Sequence, residues 1–293
     1  MEQICRDDDW IVDESSLTTV SFLGRGSFGC VSLEEDSNSR LWAKKSSPMY
    51  LKNILDKELR IMHRFRGHPR IVNASTTLYL QTKPSECYTI YMEYASQGNL
   101  NNMIYGFPQP IPESLVQRAA RMILEGLVAL HSHGYVHCNL KPSNVLIFPS
   151  TTTGEPWDLK LAGFGSSKEP DSEYDSMCFG TAKYLPPESF APNELIIHPD
   201  LDIYALGCVV YEMFGAIPIP EPFDDFYEWK LRGRDISPEA SDFLKLCRDI
   251  HPRRPTASEL LNHPFITRRL ELPTTEEDKE ISSSLLPSEL LLT

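Results

Sequence analysis

The run Gly24-Arg25-Gly26-Ser27-Phe28-Gly29-Cys30-Val31 is the first stretch whose residue types could do chemistry. Glycines let backbone amides approach phosphate oxygens closely and permit positive φ. Alone the run is weak evidence, because a Gly-rich hairpin turn reads the same way. A dinucleotide fold would need a helix directly after it. Here residues 31–34 continue as a strand pattern, which favours a hairpin lid over phosphates. Ala43-Lys44-Lys45 lies on the next strand pattern. Side chains alternate along a strand, so Ala43 and Lys45 share a face and Lys44 points outward. Ala43 leaves room for an adenine ring while Lys45 reaches the phosphates. Glu58 follows thirteen residues after Lys45, among Leu55, Leu59 and Met62. It could turn inward to pair with Lys45; taken alone it reads as a solvated helix charge.

The elements that must position these groups are visible as patterns. Residues 18–23 and 30–34 read as strands flanking the Gly-rich turn, and 40–45 as a third. Residues 52–65 have helical spacing, with Leu51, Leu55, Leu59 and Met62 on one stripe. Residues 71–80 and 87–94 read as two more strands. A long helix pattern spans 113–133, with Leu115, Ala119, Ile123, Leu127 and Leu130 on one face. Pro112 suits its first turn and Gly134 its end. Short strands are expected at 145–148 and 159–162, and helices at 199–214, 238–247 and 256–262. Of the 23 prolines, only Pro48, Pro69 and Pro84 precede residue 105. Proline is disfavoured inside strands and helices. The composition therefore suggests a strand-rich first part and a second part of helices separated by Pro-marked loops.

The order of Gly-rich hairpin, A-x-K and helical glutamate resembles the eukaryotic protein kinase family. Later motifs extend the resemblance. His137-Cys138-Asn139-Leu140-Lys141-Pro142-Ser143-Asn144 looks like the catalytic loop H-R-D-L-K-x-x-N. Gly163-Phe164-Gly165 stands where the family has D-F-G, and Pro186-Pro187-Glu188 is similar to A-P-E. Asp202-Ile203-Tyr204-Ala205-Leu206-Gly207 resembles the D-x-x-S-L-G helix start, and Arg254 the late arginine that pairs with the A-P-E glutamate. The resemblance covers about residues 18–267. Lys141, and Gly180-Thr181 ahead of Tyr184-Leu185-Pro186, look like the Ser/Thr type. The phrases GRGSFGCV, WAKKSS, MEYASQGNL and RPTASELLNHPF resemble plant MAP kinase kinase kinase-like proteins.

This resemblance implies an α+β, two-lobed kinase fold. A small β-rich N-lobe would span 18–94 and a larger, mainly helical C-lobe 95–267, with acidic tails at 1–17 and 268–293. It implies a nucleotide site from Leu23, Gly24, Gly26, Gly29, Val31, Ala43, Lys45, Glu58, Met92, Glu93, Ala95 and Leu146. Val31, Ala43 and Leu146 would sandwich adenine, Met92 would be the gatekeeper, and Glu93, Tyr94 and Ala95 the hinge. Met62, His137 and Phe164 would belong to a stacked hydrophobic column. Glu188, Asp202 and Arg254 would be structural. Each apolar member is equally explained as core.

Three positions depart from the family. The catalytic-loop aspartate is Asn139, the metal-binding aspartate is Gly163, and the arginine before the base is Cys138. That leaves Asn139, Lys141 and Asn144 as the catalytic set, and Asn144 as the metal ligand. An amide is neutral and a very poor proton acceptor. Glycine offers no ligand to Mg²⁺, a hard cation that wants carboxylate oxygen. A positioned general base is worth about 10²–10⁴ in rate. Losing a main electrostatic stabiliser costs about 10²–10³. Together the losses argue against ordinary phosphotransfer. The nearest acids are Asp158, about 16 Å from residue 163 along an extended strand, and Glu169 in the following loop. Cys138 removes the arginine that would pair with a phosphate in the loop carrying Ser166, Ser167, Ser172, Tyr174 and Ser176.

Composition bounds the partners. Net charge is −13, and residues 1–14 and 271–293 carry −5 each, leaving −3 between them. Nucleic-acid binding starts low without a basic field. Seven cysteines, an odd number with no CxxC pair, argue against a disulfide framework or zinc site and point to a reducing compartment. No signal-peptide pattern opens the chain, and no apolar run is long enough to span a bilayer. The expectation is a cytoplasmic, or also nuclear, pseudokinase that keeps a nucleotide pocket. ATP would bind with weak or no Mg²⁺. The chain would act as a scaffold or regulator on proteins of a kinase pathway. Three competing readings stand: an active MAPKKK-type Ser/Thr kinase with non-standard metal binding, another ATP chemistry such as nucleotidyl transfer, and a structural module with an occluded pocket.

Overall fold

Alternating strands joined by tight turns build the first half of the chain. The computed structural model describes residues 10–82, 86–106, 111–172, 180–190, 197–220, 227–231, 233 and 235–268. Strands β1 (Thr18–Gly26), β2 (Gly29–Glu35), β3 (Leu41–Pro48), β4 (Tyr79–Gln81) and β5 (Cys87–Glu93) form one antiparallel sheet, in the order β1-β2-β3-β5-β4. Ser27 and Phe28 make the turn between β1 and β2. Gly29 has φ +141°, and a Cβ there would collide with the carbonyl oxygen of Ser46 on β3. Only glycine permits that approach. Between β2 and β3, Asp36 holds its own turn by accepting from the amides of Asn38 and Arg40, and it also accepts from the Trp42 indole at 3.1 Å.

Helix α1 (Lys52–Arg64) lies against β3 and β5 and buries Leu55, Glu58, Leu59, Ile61 and Met62. The acid-rich first residues become part of this lobe from Trp10 onward. Trp10 and Val12 are buried with Trp42 and Tyr91. The Trp10 carbonyl accepts from Thr76 N, the Tyr79 hydroxyl donates to the Val12 carbonyl, and the Tyr91 hydroxyl donates to Glu14. The Arg40 guanidinium lies 3.9 Å from the Trp42 ring centroid and 5.0 Å from that of Trp10.

One expected strand is much shorter. Residues 71–75 are all buried, with no alternation, and the strand itself covers only Tyr79–Gln81. The chain there is held by side chains instead of a ladder. Asn73 accepts from Gly67 N, and both its amide groups donate to the Glu93 carboxylate.

The second lobe contains α2 (Leu100–Gly106), α3 (Glu113–His131), the hairpin β6 (Val145–Pro149) and β7 (Trp157–Leu161), α4 (Asp200–Met213), the hairpin β8 (Ile217–Pro220) and β9 (Tyr227–Lys230), α5 (Pro238–Cys247), α6 (Ala257–Leu261) and α7 (Pro264–Thr267). Start signals act as written: Ser237 caps α5, with Pro238 in its first turn, and Thr256 and Glu259 form a capping box on α6. Helix α4 is buried around nearly its whole circumference, the mark of a central core helix. It carries three buried acids, Asp200, Asp202 and Glu212, and each has found donors or cations, as buried charges must.

Two compact units divide the chain: residues 1–96 with 162–165, and residues 97–161 with 166–293. The first unit is β-rich and the second mainly helical. Among the described residues, no helix is long and apolar enough to cross a membrane.

Candidate active site

In the β-rich unit, Ala43 and Lys45 stand where alternation placed them. Ala43 is buried opposite Met92, and Lys45 opposite Ile90. The Lys45 ammonium makes a hydrogen-bonded ion pair with the Glu58 carboxylate on α1, and their side chains are only 12% and 2% exposed. Such a pair orders α1 against β3. Lys44 lies on the other face, its ammonium 5.9 Å from the Tyr91 ring centroid. Gly24 and Gly26 face open space, so their missing side chains leave the turn's backbone accessible, whereas Gly29 is packed tightly. Leu23 is exposed and Val31 half-buried, while Met92 and Ala95 are buried. The Glu93 backbone N–H is spent on the Asn73 carbonyl at 3.1 Å, so it is not on offer as a hinge donor.

The segment Ala162–Gly165 belongs to the same unit. Gly163 has φ +79°, in the left-handed region that glycine adopts without strain. Phe164 is fully buried. A methyl placed on Gly165 would lie 2.9 Å from Cδ2 of Phe28 and 3.0 Å from Cγ2 of Ile54. The tip of the Gly-rich turn and helix α1 therefore press on this segment. Neither Phe28 nor Ile54 was expected as a site residue from the sequence; the only hint was an aromatic at the turn tip.

In the helical unit, Asp202 at the start of α4 builds the catalytic-type loop. Its two oxygens accept from His137 N at 2.7 Å and Cys138 N at 2.9 Å, and His131 Nε2 lies 2.9 Å away. Those bonds hold Cys138 at φ +61°, an uncommon conformation for a residue with a side chain. Asn139 Oδ1 accepts from the Thr181 hydroxyl at 3.1 Å, and Lys141 Nζ donates to that same hydroxyl at 3.0 Å. The Asn144 amide donates to the Asn139 carbonyl at 2.8 Å. Gly180 permits this approach, because a Cβ there would strike the Cys138 carbonyl oxygen. Burial lowers the Lys141 pKa from its ordinary value. Thr181, which ties Asn139 to Lys141, was seen in the sequence only as a subfamily mark. A cavity of about 10 Å³ lies beside Cys138, Asn139 and Thr181, room for one water at most.

Asp158 is buried and accepts from the Thr151 amide and hydroxyl, both at 2.8 Å. Glu169 lies in the loop after Gly163 and caps a turn through its carbonyl to Ser172. Asn144 supplies one neutral amide oxygen, a set that does not fit Mg²⁺. Of the loop hydroxyls, Ser166 and Ser167 are buried, and Ser167 donates to the His137 carbonyl at 3.0 Å. Tyr174 and Ser176 lie outside the described residues. Leu146 is half-buried on β6, bridged to Asn99. Arg254 grips Glu188 with two nitrogens, one of them at 3.1 Å, and its side chain is 1% exposed.

The order of these parts, a Lys-Glu pair behind a Gly-rich hairpin and a loop cradled by a buried aspartate, is that of protein kinases. A family model described as protein kinase domain matches residues 17–266, and the chain belongs to that family. It is similar to Mitogen-activated protein kinase kinase kinase 17 of Arabidopsis thaliana, 30% identical over 85% of this chain and 69% of that relative. Mitogen-activated protein kinase kinase kinase 20 of the same plant is 29% identical, with 91% of this chain and 85% of the relative covered. Kinase kinase kinase 5 is 31% identical over 89% of this chain. The chain spans only 38% of that relative and 44% of kinase kinase kinase 3. It is thus a Ser/Thr kinase-like chain resembling plant MAP kinase kinase kinases.

Proposed function

We propose that this chain is a pseudokinase: it binds nucleotide without productive Mg²⁺ and acts on other proteins of a kinase pathway by association. The observation that carries this reading is Gly163. The position that would present a metal-binding carboxylate has no side chain, and Asp158 is committed to Thr151. The amide of Asn139 adds to it. It is engaged by Thr181 and cannot take a proton from an incoming hydroxyl. The buried Lys45–Glu58 pair and the open faces of Gly24 and Gly26 favour a retained nucleotide site. The kinship with MAP kinase kinase kinases directs the search for partners to such pathways. Cysteines without CxxC spacing suit a reducing compartment, so the cytoplasm or nucleus is where we expect it to act.

The test is a thermal titration with ATP, with and without Mg²⁺, alongside a radiolabelled transfer assay on the purified chain. The expected result is a shift with ATP alone, little change on adding Mg²⁺, and no transfer above background. Transfer that disappears in Lys45→Ala would overturn the reading in favour of an active kinase with unusual metal binding. A second reading is supported by Phe28 lying against Gly165: the turn itself fills the phosphate side. No shift under either condition would favour that reading, and a Phe28→Gly variant should then gain ATP binding.

A further inference from the structure

Outside the kinase motifs, one group of side chains in the helical unit has the makings of a metal site. His198 and His251 converge on a single carboxylate, that of Asp200 in the first turn of α4. His198 Nδ1 lies 3.1 Å from Asp200 Oδ1. His251 Nδ1 hydrogen-bonds the other oxygen, Oδ2. The two imidazoles face each other edge-on, with centroids 5.5 Å apart. The three donor atoms all lie within 4.8 Å of one another, the one such grouping among the described residues. Other histidine–carboxylate pairs differ. Asp202 meets one imidazole and has both oxygens taken by backbone amides. Among the described residues, Asp242 meets one imidazole, that of His263.

We propose that His198, Asp200 and His251 form a Zn²⁺ site. Two imidazole nitrogens and one carboxylate oxygen are a borderline donor set, which suits Zn²⁺ and disfavours Mg²⁺. Three protein ligands leave a fourth, water-filled position in a tetrahedral shell. Zinc–ligand bonds near 2.0–2.1 Å set donors about 3.4 Å apart. The most widely separated donors must therefore draw together by up to about 1.4 Å. The movable partner is His198, whose side chain is 55% exposed, while Asp200 is 5% exposed and anchored on α4. Among the described residues, one cation opposes the site: Arg254 Nη1 lies 3.7 Å from Asp200 Oδ2. That guanidinium is itself neutralised by its two-pronged bond to Glu188. Zinc would thus join the segment before α4, the helix itself and the loop bearing His251, next to the Glu188–Arg254 pair.

The experiment uses the full chain, stripped with a chelator, without nucleotide, and titrated with Zn²⁺ against a chromophoric competitor. Co²⁺ absorption reports the geometry. Wild type should take up one equivalent more than the double variant His198→Gln/His251→Gln, with intense tetrahedral Co²⁺ bands that the variant lacks. Each single substitution should weaken that equivalent about 10–100-fold or more. At a hundredfold excess over the dissociation constant, Zn²⁺ should raise the wild-type midpoint about 5–10 °C and leave the double variant unmoved. Mg²⁺ should do nothing in either. Equal zinc uptake by wild type and double variant would place the metal elsewhere on the chain and overturn the proposal, as would no uptake at all. If His251→Gln disturbs folding in the metal-free state, the exposed His198→Gln alone decides.

Discussion

Lys45→Met is expected to unfold the β-rich lobe far more easily than the loss of one lysine would suggest. The Glu58 side chain is 2% exposed, so no water can replace the departed ammonium. Removing one partner of a buried pair costs about 3–5 kcal/mol, because it strands the other charge. In a domain of this size each kcal/mol moves the midpoint about 2–4 °C, so a fall of about 6–20 °C is expected. Glu58→Leu should cost less, since the Lys45 side chain is 12% exposed and its flexible stem can carry the ammonium to water. The double variant Lys45→Met/Glu58→Leu should recover most of the loss, because an apolar pair of similar volume replaces both charges. The assay is urea unfolding without nucleotide, read by hydrogen exchange in β3 and β5, so that the signal belongs to this lobe. A loss below about 1 kcal/mol for Lys45→Met, the worth of an exposed pair, would refute the reasoning. So would a double variant as unstable as the two single losses combined.

Restoring Asn139→Asp together with Gly163→Asp should raise Mg²⁺-dependent transfer above the wild-type level, read in the same radiolabelled assay. Gly163→Asp alone should lower stability by about 1–2 kcal/mol, because φ there is +79°, measured by thermal melting. Asn139→Asp should raise the pKa of Lys141, now lowered by burial, since a carboxylate would favour its charged form; NMR titration that finds Lys141 unmoved contradicts this. Gly29→Ala should cost about 1–3 kcal/mol through its clash with the Ser46 carbonyl, whereas Gly26→Ala, facing open space, should stay within about 0.5 kcal/mol. Asp36 has its pKa lowered, first by the Trp42 indole hydrogen bond. Its contribution is therefore present above its unfolded pKa, near 3.9, and is lost as pH falls through the lower folded one. Urea midpoints of Asp36→Ala should fall less than wild type on acidification through that range.

Much of the site could be read from the sequence because the physics was local. Alternation alone put Ala43 and Lys45 on one face, whereas Glu58, which by itself reads as a solvated helix charge, is buried with Leu55 and Leu59. What escaped depends on partners distant in sequence. Residues 71–78 looked like a strand because Ile71, Val72 and Ala74 are apolar, yet their burial comes from all sides and Asn73 supplies the bonds a ladder would have made. Hairpin β8–β9 was hidden by Pro218 and Pro220, which are tolerated because the two-stranded ribbon leaves edges where no N–H is needed. Helix α2 did show apolar spacing at Leu100, Met103 and Ile104, but over too few residues to stand out. Thr181 reaches Asn139 across 42 residues of chain, a link that no local pattern encodes.

The packing of Trp10 and Val12 bears on where this protein can safely be cut. The family match begins at residue 17, and a fragment trimmed to it would discard the indole that covers Trp42 and stacks with Arg40. The Tyr79 and Tyr91 hydroxyls would lose Val12 and Glu14 together. A sticky aromatic face would then be laid bare on the outer side of the sheet. Aggregation of such a fragment would reflect the cutting point alone, and binding or activity measurements are better made on chains that keep the eight residues from Trp10 to Leu17.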